Sequence, residues 1–134
     1  MKNWFASDLI FNSLYPKPIQ EVAEKHWTPV IVAKKAAAFL AISEEVSVLD
    51  IGSGSGKFCL IAAHEHPLTT FYGVEQRQNL VELSTNLAKE LELENVSFTC
   101  DNICNVDFEK YDHFYFYNSF YENVPGTQKI DSTI

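Results

Sequence analysis

The sequence has few cysteines, and they lack the spacing that a disulfide framework or a zinc site requires. Cys59, Cys100 and Cys104 are odd in number and include no Cys-x-x-Cys pair. No apolar run approaches the roughly 20 residues that span a bilayer. In residues 1–15 the polar residues Asp8 and Asn12 interrupt the apolar positions, whereas a signal peptide contains an uninterrupted apolar stretch. These absences predict a soluble protein of the reducing cytoplasm.

Basic residues are also scarce. Ten Lys and Arg stand against 18 Asp and Glu, which gives a net charge of -8. Such a balance repels phosphate backbones and makes a nucleic-acid partner unlikely for this chain. The length of 134 residues and the hydrophobic share of 46% predict one globular domain.

The N-terminal part is predicted to be helical. Aromatic and aliphatic residues recur along residues 1–15 as on an amphipathic helix, which Pro16 and Pro18 would end. Thr28 and Pro29 predict the start of a second helix reaching residue 42, with the Thr28 hydroxyl as its cap. We therefore predict an N-terminal helical segment over residues 1–27, followed by the binding domain itself over residues 28–134.

The rest of the chain alternates between two hydrophobic periodicities. Short β-branched or aromatic runs predict strands at residues 46–51, 69–74, 96–100 and 111–118. Helical spacing of apolar residues predicts helices at residues 57–66 and 78–93. Alternating strands and helices predict an α/β fold with a doubly wound, Rossmann-like parallel sheet.

A glycine-rich run follows the first strand: Asp50-Ile51-Gly52-Ser53-Gly54-Ser55-Gly56. Such a turn lets the backbone approach a ligand, and the next helix offers its free amide groups. By itself the run is a weak signal, since some glycine-rich matches are only tight turns. The dinucleotide fingerprint requires a glycine where Lys57 stands. The Asp50 carboxylate suits a sulfonium and an amino group better than a pyrophosphate.

An acidic residue closes the second predicted strand. Glu75 comes 19 residues after Gly56, where a carboxylate can accept both ribose hydroxyls of a nucleoside. The alternative is a solvated glutamate at a helix start. The order of strand, glycine turn, helix, strand and acid favours the ribose contact.

Residues 46–121 resemble the first four strands of the class I S-adenosylmethionine-dependent methyltransferases, whose first motif is matched by residues 48–56. The resemblance implies S-adenosyl-L-methionine as cofactor and the strand order 3-2-1-4. It implies a ribose contact for Glu75, an adenine-flanking position for Gln76 and an adenine-amino contact for Asp101, which could instead cap the next turn. The implied cofactor-binding set is Asp50, Gly52, Ser53, Gly54, Gly56, Glu75, Gln76, Asp101 and Asn102.

The end of the fourth predicted strand supplies the catalytic candidates. Asn118-Ser119-Phe120-Tyr121 is similar to the Asn-Pro-Pro-Tyr signature of methyltransferases that act on planar or amide nitrogens, although both prolines are missing. The resemblance implies Asn118 and Tyr121 as catalytic residues and nitrogen as an acceptor atom. The alternative is a core role for these aromatics, and for Tyr115 and Tyr117 we expect a core or a lining role.

Family members generally have seven strands, and only four are recognisable here. The fourth would be an exposed edge, which predicts either a truncated chain or association of two copies along that edge. Three functions remain open. They are a methyltransferase, a non-catalytic cofactor-binding or interaction domain, and a less favoured NAD-dependent oxidoreductase. The methyl acceptor could be a small molecule, a protein or a nucleobase, and the acidic balance disfavours the nucleobase. No metal site is predicted, because His64 and His66 do not share a helix face.

Overall fold

The computed structural model describes residues 3–21, 27–41, 43 and 45–117. Its sheet contains four parallel strands, β1 (Ser47–Ile51), β2 (Thr70–Glu75), β3 (Val96–Cys100) and β4 (His113–Tyr115). Their order is β3-β2-β1-β4, which confirms the predicted α/β fold and strand order. The α-helices are α1 (Asp8–Asn12), α2 (Lys17–Gln20), α3 (Val30–Leu40), α4 (Lys57–Glu65) and α5 (Gln78–Glu90). Two 3₁₀ turns, Ile103–Asn105 and Phe108–Lys110, lie between β3 and β4.

The two faces of the sheet are covered differently. On one face Val48 pairs in register with Phe71, and both join a buried core with residues of α3, α4 and α5. On the other face Leu49 is 1% exposed. There the Tyr111 ring packs edge-on against Tyr72, with ring centroids 5.3 Å apart. The described helices that build the core therefore lie together on one side of the central strands.

The single helix predicted over residues 1–15 is wrong. Helix α1 begins only at Asp8, where the Ser7 side chain accepts a hydrogen bond from the Ile10 amide. It ends at Asn12, and Pro16 precedes a separate short helix, α2. Phe11 and Tyr15 are nevertheless buried, at 0% and 3% exposure. The apolar positions thus mark a buried segment, which folds as two short helices instead of one long helix.

The start of α3 is confirmed, but the predicted cap is wrong. Pro29 occupies the N-cap position and supplies no side-chain hydrogen bond. The free amide of Val30 instead donates to Asp8 Oδ1 at 2.8 Å, so a residue 22 positions earlier provides the cap. The Thr28 hydroxyl is 3.0 Å from the Tyr115 hydroxyl.

The later elements begin and end close to their predicted limits, with one larger difference. Strand β4 covers three residues, His113–Tyr115, in place of the predicted 111–118. The 3₁₀ turn at Phe108–Lys110 leads directly into it and shortens its beginning. Asn118 and Tyr121, the predicted catalytic residues, lie outside the described residues. None of the described helices is long and apolar enough to cross a membrane.

Candidate cofactor-binding site

The site is organised around the loop between β1 and α4. Gly52, Gly54 and Gly56 all have positive φ angles, of 68°, 56° and 83°. Two backbone hydrogen bonds fix the loop: the Ser53 amide donates to the Val74 carbonyl and the Gly56 amide to the Ser53 carbonyl, both at 2.9 Å. The loop therefore folds back onto the end of β2 before α4 begins.

Gly54 and Gly56 are needed for different reasons. A Cβ atom at Gly56 would lie 2.5 Å from the Ser84 hydroxyl of α5, so the loop can pack here only without a side chain. A Cβ atom at Gly54 would meet nothing within 4 Å. The loop thus packs against the protein at Gly56 and presents open backbone at Gly54. A side chain is thus excluded by packing at Gly56 and would enter open space at Gly54.

Asp50 lies at the end of β1 and is 4% exposed. The Cys59 thiol of α4 lies 3.7 Å from Asp50 Oδ2 and donates to it. Burial raises the pKa of the Asp50 carboxyl well above 3.8, assisted by the nearby charge of Glu75 and opposed by the thiol hydrogen bond. Burial also raises the pKa of the Cys59 thiol, which keeps it protonated as the donor.

Glu75 joins the end of β2 to the glycine loop. Its Oε1 accepts from the Gly54 amide at 2.9 Å, while its Oε2 accepts from the Arg77 amide at 3.0 Å. The Arg77 guanidinium adds bonds from Nε at 2.6 Å and from Nη2 at 3.2 Å. The Glu75 side chain is 3% exposed, so it is not the solvated glutamate of the alternative interpretation.

The residues predicted near adenine are arranged differently. The Asp101 amide continues the β2–β3 pairing by donating to the Glu75 carbonyl at 3.1 Å. Its carboxylate accepts from Asn105 Nδ2 at 2.9 Å and from the Asn102 amide at 2.7 Å, and these bonds hold its pKa below 3.8. Asn102 Oδ1 caps the same turn by accepting from the Cys104 amide. The cap of this turn is therefore Asn102, while the Asp101 carboxylate is bonded to the Asn102 amide and the Asn105 side chain.

Gln76 and Asp101, both predicted to lie near adenine, are placed differently from each other. Gln76 is exposed, and its carbonyl accepts from the Cys100 thiol at 3.5 Å. Asp101 lines a cavity of about 170 Å³ together with Tyr72 and Tyr111. No residue of the glycine loop lines this cavity. The structure therefore brings Asp50, the glycine loop and Glu75 together. Asp101 contacts this group only through its backbone amide, which donates to the Glu75 carbonyl.

The N-terminal segment also reaches the loop, which the sequence did not predict. The Tyr15 hydroxyl donates to the Ser55 carbonyl at 2.8 Å, and Lys57 Nζ donates to Asp8 Oδ1 at 2.6 Å. Lys57 is 4% exposed although it begins a helix beside a loop. The one sequence signal for this contact was a lysine at the start of an apolar helix, and it did not identify Asp8 as the partner of Lys57.

Tyr115 forms an aromatic wall at the end of β4. Its ring stacks on Phe58 with centroids 3.8 Å apart and planes 10° apart. Burial raises the pKa of Tyr115 to about 12, against the opposing effect of its hydrogen bond with Thr28. Tyr117 is 39% exposed.

His64 takes part in an aromatic contact. Its ring stacks on Phe5 with centroids 3.8 Å apart. The described residues contain no cluster of three metal-ligating side chains.

A parallel sheet with order 3-2-1-4, a glycine loop after β1 and an acid ending β2 define a Rossmann-like nucleotide-binding domain. Residues 42–130 match the model of a family described as methyltransferase domain. That match extends over more than half of the chain. The chain belongs to this methyltransferase family, and the resemblance to class I S-adenosylmethionine-dependent methyltransferases is confirmed.

Curated relatives match parts of the chain. A tRNA (guanine-N(7)-)-methyltransferase from Synechococcus sp. (strain JA-3-3Ab) is 54% identical over 55 residues, 41% of this chain and 23% of the relative. A release factor glutamine methyltransferase from Buchnera aphidicola is 29% identical over 113 residues, 84% of this chain and 36% of the relative. The chain thus spans between about a quarter and about a third of the length of these relatives.

A solved structure shows the same fold. It is a methyltransferase from Thiobacillus denitrificans, described as dependent on S-adenosylmethionine and in complex with S-adenosyl-L-homocysteine. The TM-score is 0.58 at 25% identity, and the alignment covers 76% of this chain and 43% of that one. The two chains therefore share their core architecture.

Proposed function

We propose that the chain binds S-adenosyl-L-methionine and is the cofactor-binding part of an enzyme that transfers its methyl group to an acceptor. The observation that carries the proposal is the glycine loop, which is open at Gly54 while the Gly54 amide contacts the Glu75 carboxylate at 2.9 Å. When bound, the cofactor supplies an electrophilic methyl group on a sulfonium. The protein then has to hold the cofactor, align the acceptor and exclude water.

The proposed contacts follow the charges of the cofactor. Glu75 accepts the ribose hydroxyls, Asp50 faces the amino group, and Gln76 and Asp101 flank adenine with Asn102 beside them. The loop residues Gly52, Ser53, Gly54 and Gly56 provide the backbone surface. For Glu75 this requires exchanging a present bond for one to the ligand, because its two oxygens already accept four bonds from Gly54 and Arg77. Both described bonds of the Asp101 carboxylate go to Oδ1. We propose residues 28–134 as the cofactor-binding unit, preceded by a helical segment at residues 1–27.

Calorimetry with S-adenosyl-L-homocysteine and with NAD tests the cofactor. We expect the wild type to bind the former and not the latter. Glu75→Gln should weaken binding by about 10-fold or more, because a hydrogen bond to a charged group contributes about 1.5–3 kcal/mol. Glu90→Gln, an exposed change on α5, is the matched control. Tight binding of NAD alone would overturn the proposal.

For the acceptor atom we propose nitrogen. The match of Asn118-Ser119-Phe120-Tyr121 to a nitrogen-methyltransferase signature supports this, as does the relative named for guanine N(7). The charge of -8 supports a small molecule or protein as the acceptor in place of RNA. Labelled methyl transfer in a lysate, followed by separate nuclease and protease digestion, distinguishes these acceptors. Label that is lost on nuclease digestion would identify RNA and contradict the acceptor class.

A second candidate function is cofactor binding without catalysis. This candidate requires only the glycine loop and Glu75, which the structure brings together. Binding of S-adenosyl-L-homocysteine without any methyl transfer to lysate components would support this second function.

We also propose that two copies associate through β4 in the cytoplasm. β4 is an edge of the described sheet, and Phe114 on it is 39% exposed. The three cysteines are free, which suits a reducing compartment. Sedimentation of wild type and Phe114→Lys tests the association: equal monomeric mass for both would contradict it.

A further inference from the structure

One peptide unit of the glycine loop is held at both of its polar atoms. The Ser55 carbonyl accepts from the buried Tyr15 hydroxyl at 2.8 Å. The amide on the other side of the same peptide, that of Gly56, donates to the Ser53 carbonyl at 2.9 Å. Rotation of this peptide would break both bonds, and the peptide joins Ser55 to Gly56, a glycine whose φ angle of 83° leaves other conformations accessible. The Tyr15 bond therefore restricts a part of the loop that its own sequence leaves free.

Tyr15 belongs to a segment that is anchored independently. We call residues 3–21 the N-terminal strap. Asp8 Oδ1 in the strap accepts from Lys57 Nζ at 2.6 Å and from the Val30 amide at 2.8 Å. One carboxylate oxygen thus connects the strap to the first residues of both α3 and α4. The anchor at Lys57 lies directly after the glycine loop, so the strap is fixed at the place where Tyr15 reaches the loop.

Aromatic rings fill the space between these anchors. Lys57 Nζ lies 5.8 Å from the Phe11 ring centroid and 5.9 Å from that of Trp27, at the distance of cation–π contacts. The Tyr15 ring meets the Trp27 ring edge-on at 4.5 Å. Trp27 is 7% exposed, and its Nε1 has no hydrogen-bond partner in the described part of the chain. A buried donor beside this loop costs about 1–3 kcal/mol while it is unpaired, which favours a ligand with an acceptor nearby.

We propose that Tyr15 is a positioning residue of the cofactor site, whose hydroxyl holds the Ser55 carbonyl and thereby keeps the glycine loop in its binding shape. The inference rests on the proposed cofactor. Tyr15 acts through the Ser55 peptide and does not contact the ligand. The N-terminal strap then contributes to cofactor binding through Tyr15, although its sequence lies outside the glycine motif.

Tyr15→Phe tests the proposal because it removes only the hydroxyl. We expect the dissociation constant for S-adenosyl-L-homocysteine to rise roughly 2- to 12-fold, as for one buried hydrogen bond. Amide hydrogen exchange at Gly56 should become faster in the ligand-free protein. Asn95→Ala is the matched control, since its Nδ2 donates to the carbonyls of Ala63, His66 and Thr69 away from the loop.

The control separates positioning from general stability. Asn95→Ala should lower the urea midpoint while leaving the affinity and the Gly56 exchange rate unchanged. Equal affinity of Tyr15→Phe and wild type would overturn the inference, and so would an equal loss of affinity in both variants. Failure of the wild type to bind S-adenosyl-L-homocysteine would refute the proposed function. An unchanged exchange rate of the Gly56 amide in Tyr15→Phe would separately refute the role of Tyr15 in holding the loop. Should Tyr15→Phe not fold, Asp8→Asn loosens the same strap and is expected to weaken binding.

Discussion

The side chains of Glu75 and Arg77 form an ion pair that is largely removed from water: Nε lies 2.6 Å from Oε2, and the two side chains are 3% and 10% exposed. The carboxylate also accepts from the Gly54 amide. The pair therefore connects the end of β2, the start of α5 and the glycine loop. Its geometry leads to the first prediction.

Arg77→Ala should destabilise the protein by about 3 kcal/mol or more, because it leaves a buried carboxylate without its partner. Urea unfolding followed by circular dichroism measures the change. Lys89→Ala removes an exposed cation from the last turn of the same helix and should stay within about 0.5 kcal/mol of wild type. Similar effects of the two substitutions would contradict the structural importance of the ion pair.

Two glycine substitutions should separate stability from binding. Gly56→Ala places a Cβ atom 2.5 Å from the Ser84 hydroxyl, so it should lower the unfolding midpoint strongly. Gly54→Ala meets no atom within 4 Å and bears only the strain of its positive φ angle, about 1–2 kcal/mol. Its methyl group would occupy the open space beside the loop. We therefore expect Gly54→Ala to lose more affinity for S-adenosyl-L-homocysteine, relative to its loss of stability, than Gly56→Ala. Proportional losses in both variants would argue against a ligand above Gly54.

Asp50→Asn should change how stability depends on pH. Burial raises the pKa of Asp50 in the folded protein above 3.8, so the unfolded chain releases this proton at lower pH than the folded one. The stabilising contribution is present below about pH 4 and is lost as pH rises through the folded value, by at most about 1.4 kcal/mol per pH unit. Urea midpoints at pH 5 and 8 should therefore favour the asparagine variant increasingly at the higher pH. A difference from wild type that is independent of pH would contradict the raised pKa.

Asn118→Ala should abolish methyl transfer while leaving cofactor binding intact. The residue follows the described end of β4, where the sequence resemblance expects the acceptor to lie. A labelled-methyl assay gives the activity, and calorimetry with S-adenosyl-L-homocysteine gives the binding. Asn86→Ala, an exposed change on α5, serves as the control. Full activity of Asn118→Ala would remove this residue from the catalytic candidates.

The central sheet could be predicted from the sequence because its signals are local. Strand β3 begins and ends at the predicted residues, since a short β-branched and aromatic run lies between a helix and an acidic turn. The glycine loop was equally recognisable, because positive φ angles require residues without a Cβ atom. The strand order β3-β2-β1-β4 was implied by the family resemblance, and the structure confirms it.

Contacts between distant segments could not be predicted in this way. Asp8 caps α3 from 22 residues away, so the helix start at Thr28 and Pro29 was recognised while its cap was assigned to the wrong side chain. Tyr15 and Ser55 are 40 residues apart, and no periodicity relates them. Asp101 could serve two roles by position, and only the structure showed its bonds to Asn102 and Asn105.

The Asp8 carboxylate has a consequence for the order in which the molecule assembles. Its bond to Lys57 closes a stretch of 49 residues, whereas Ser47 and Thr70, which pair in β1 and β2, are 23 residues apart, and closing a longer stretch costs more chain entropy. Such non-local contacts form slowly compared with single helices. We therefore expect the strap to dock late in folding, after β1 and β2 have paired. Ligand affinity would then appear only in molecules that have completed this last step.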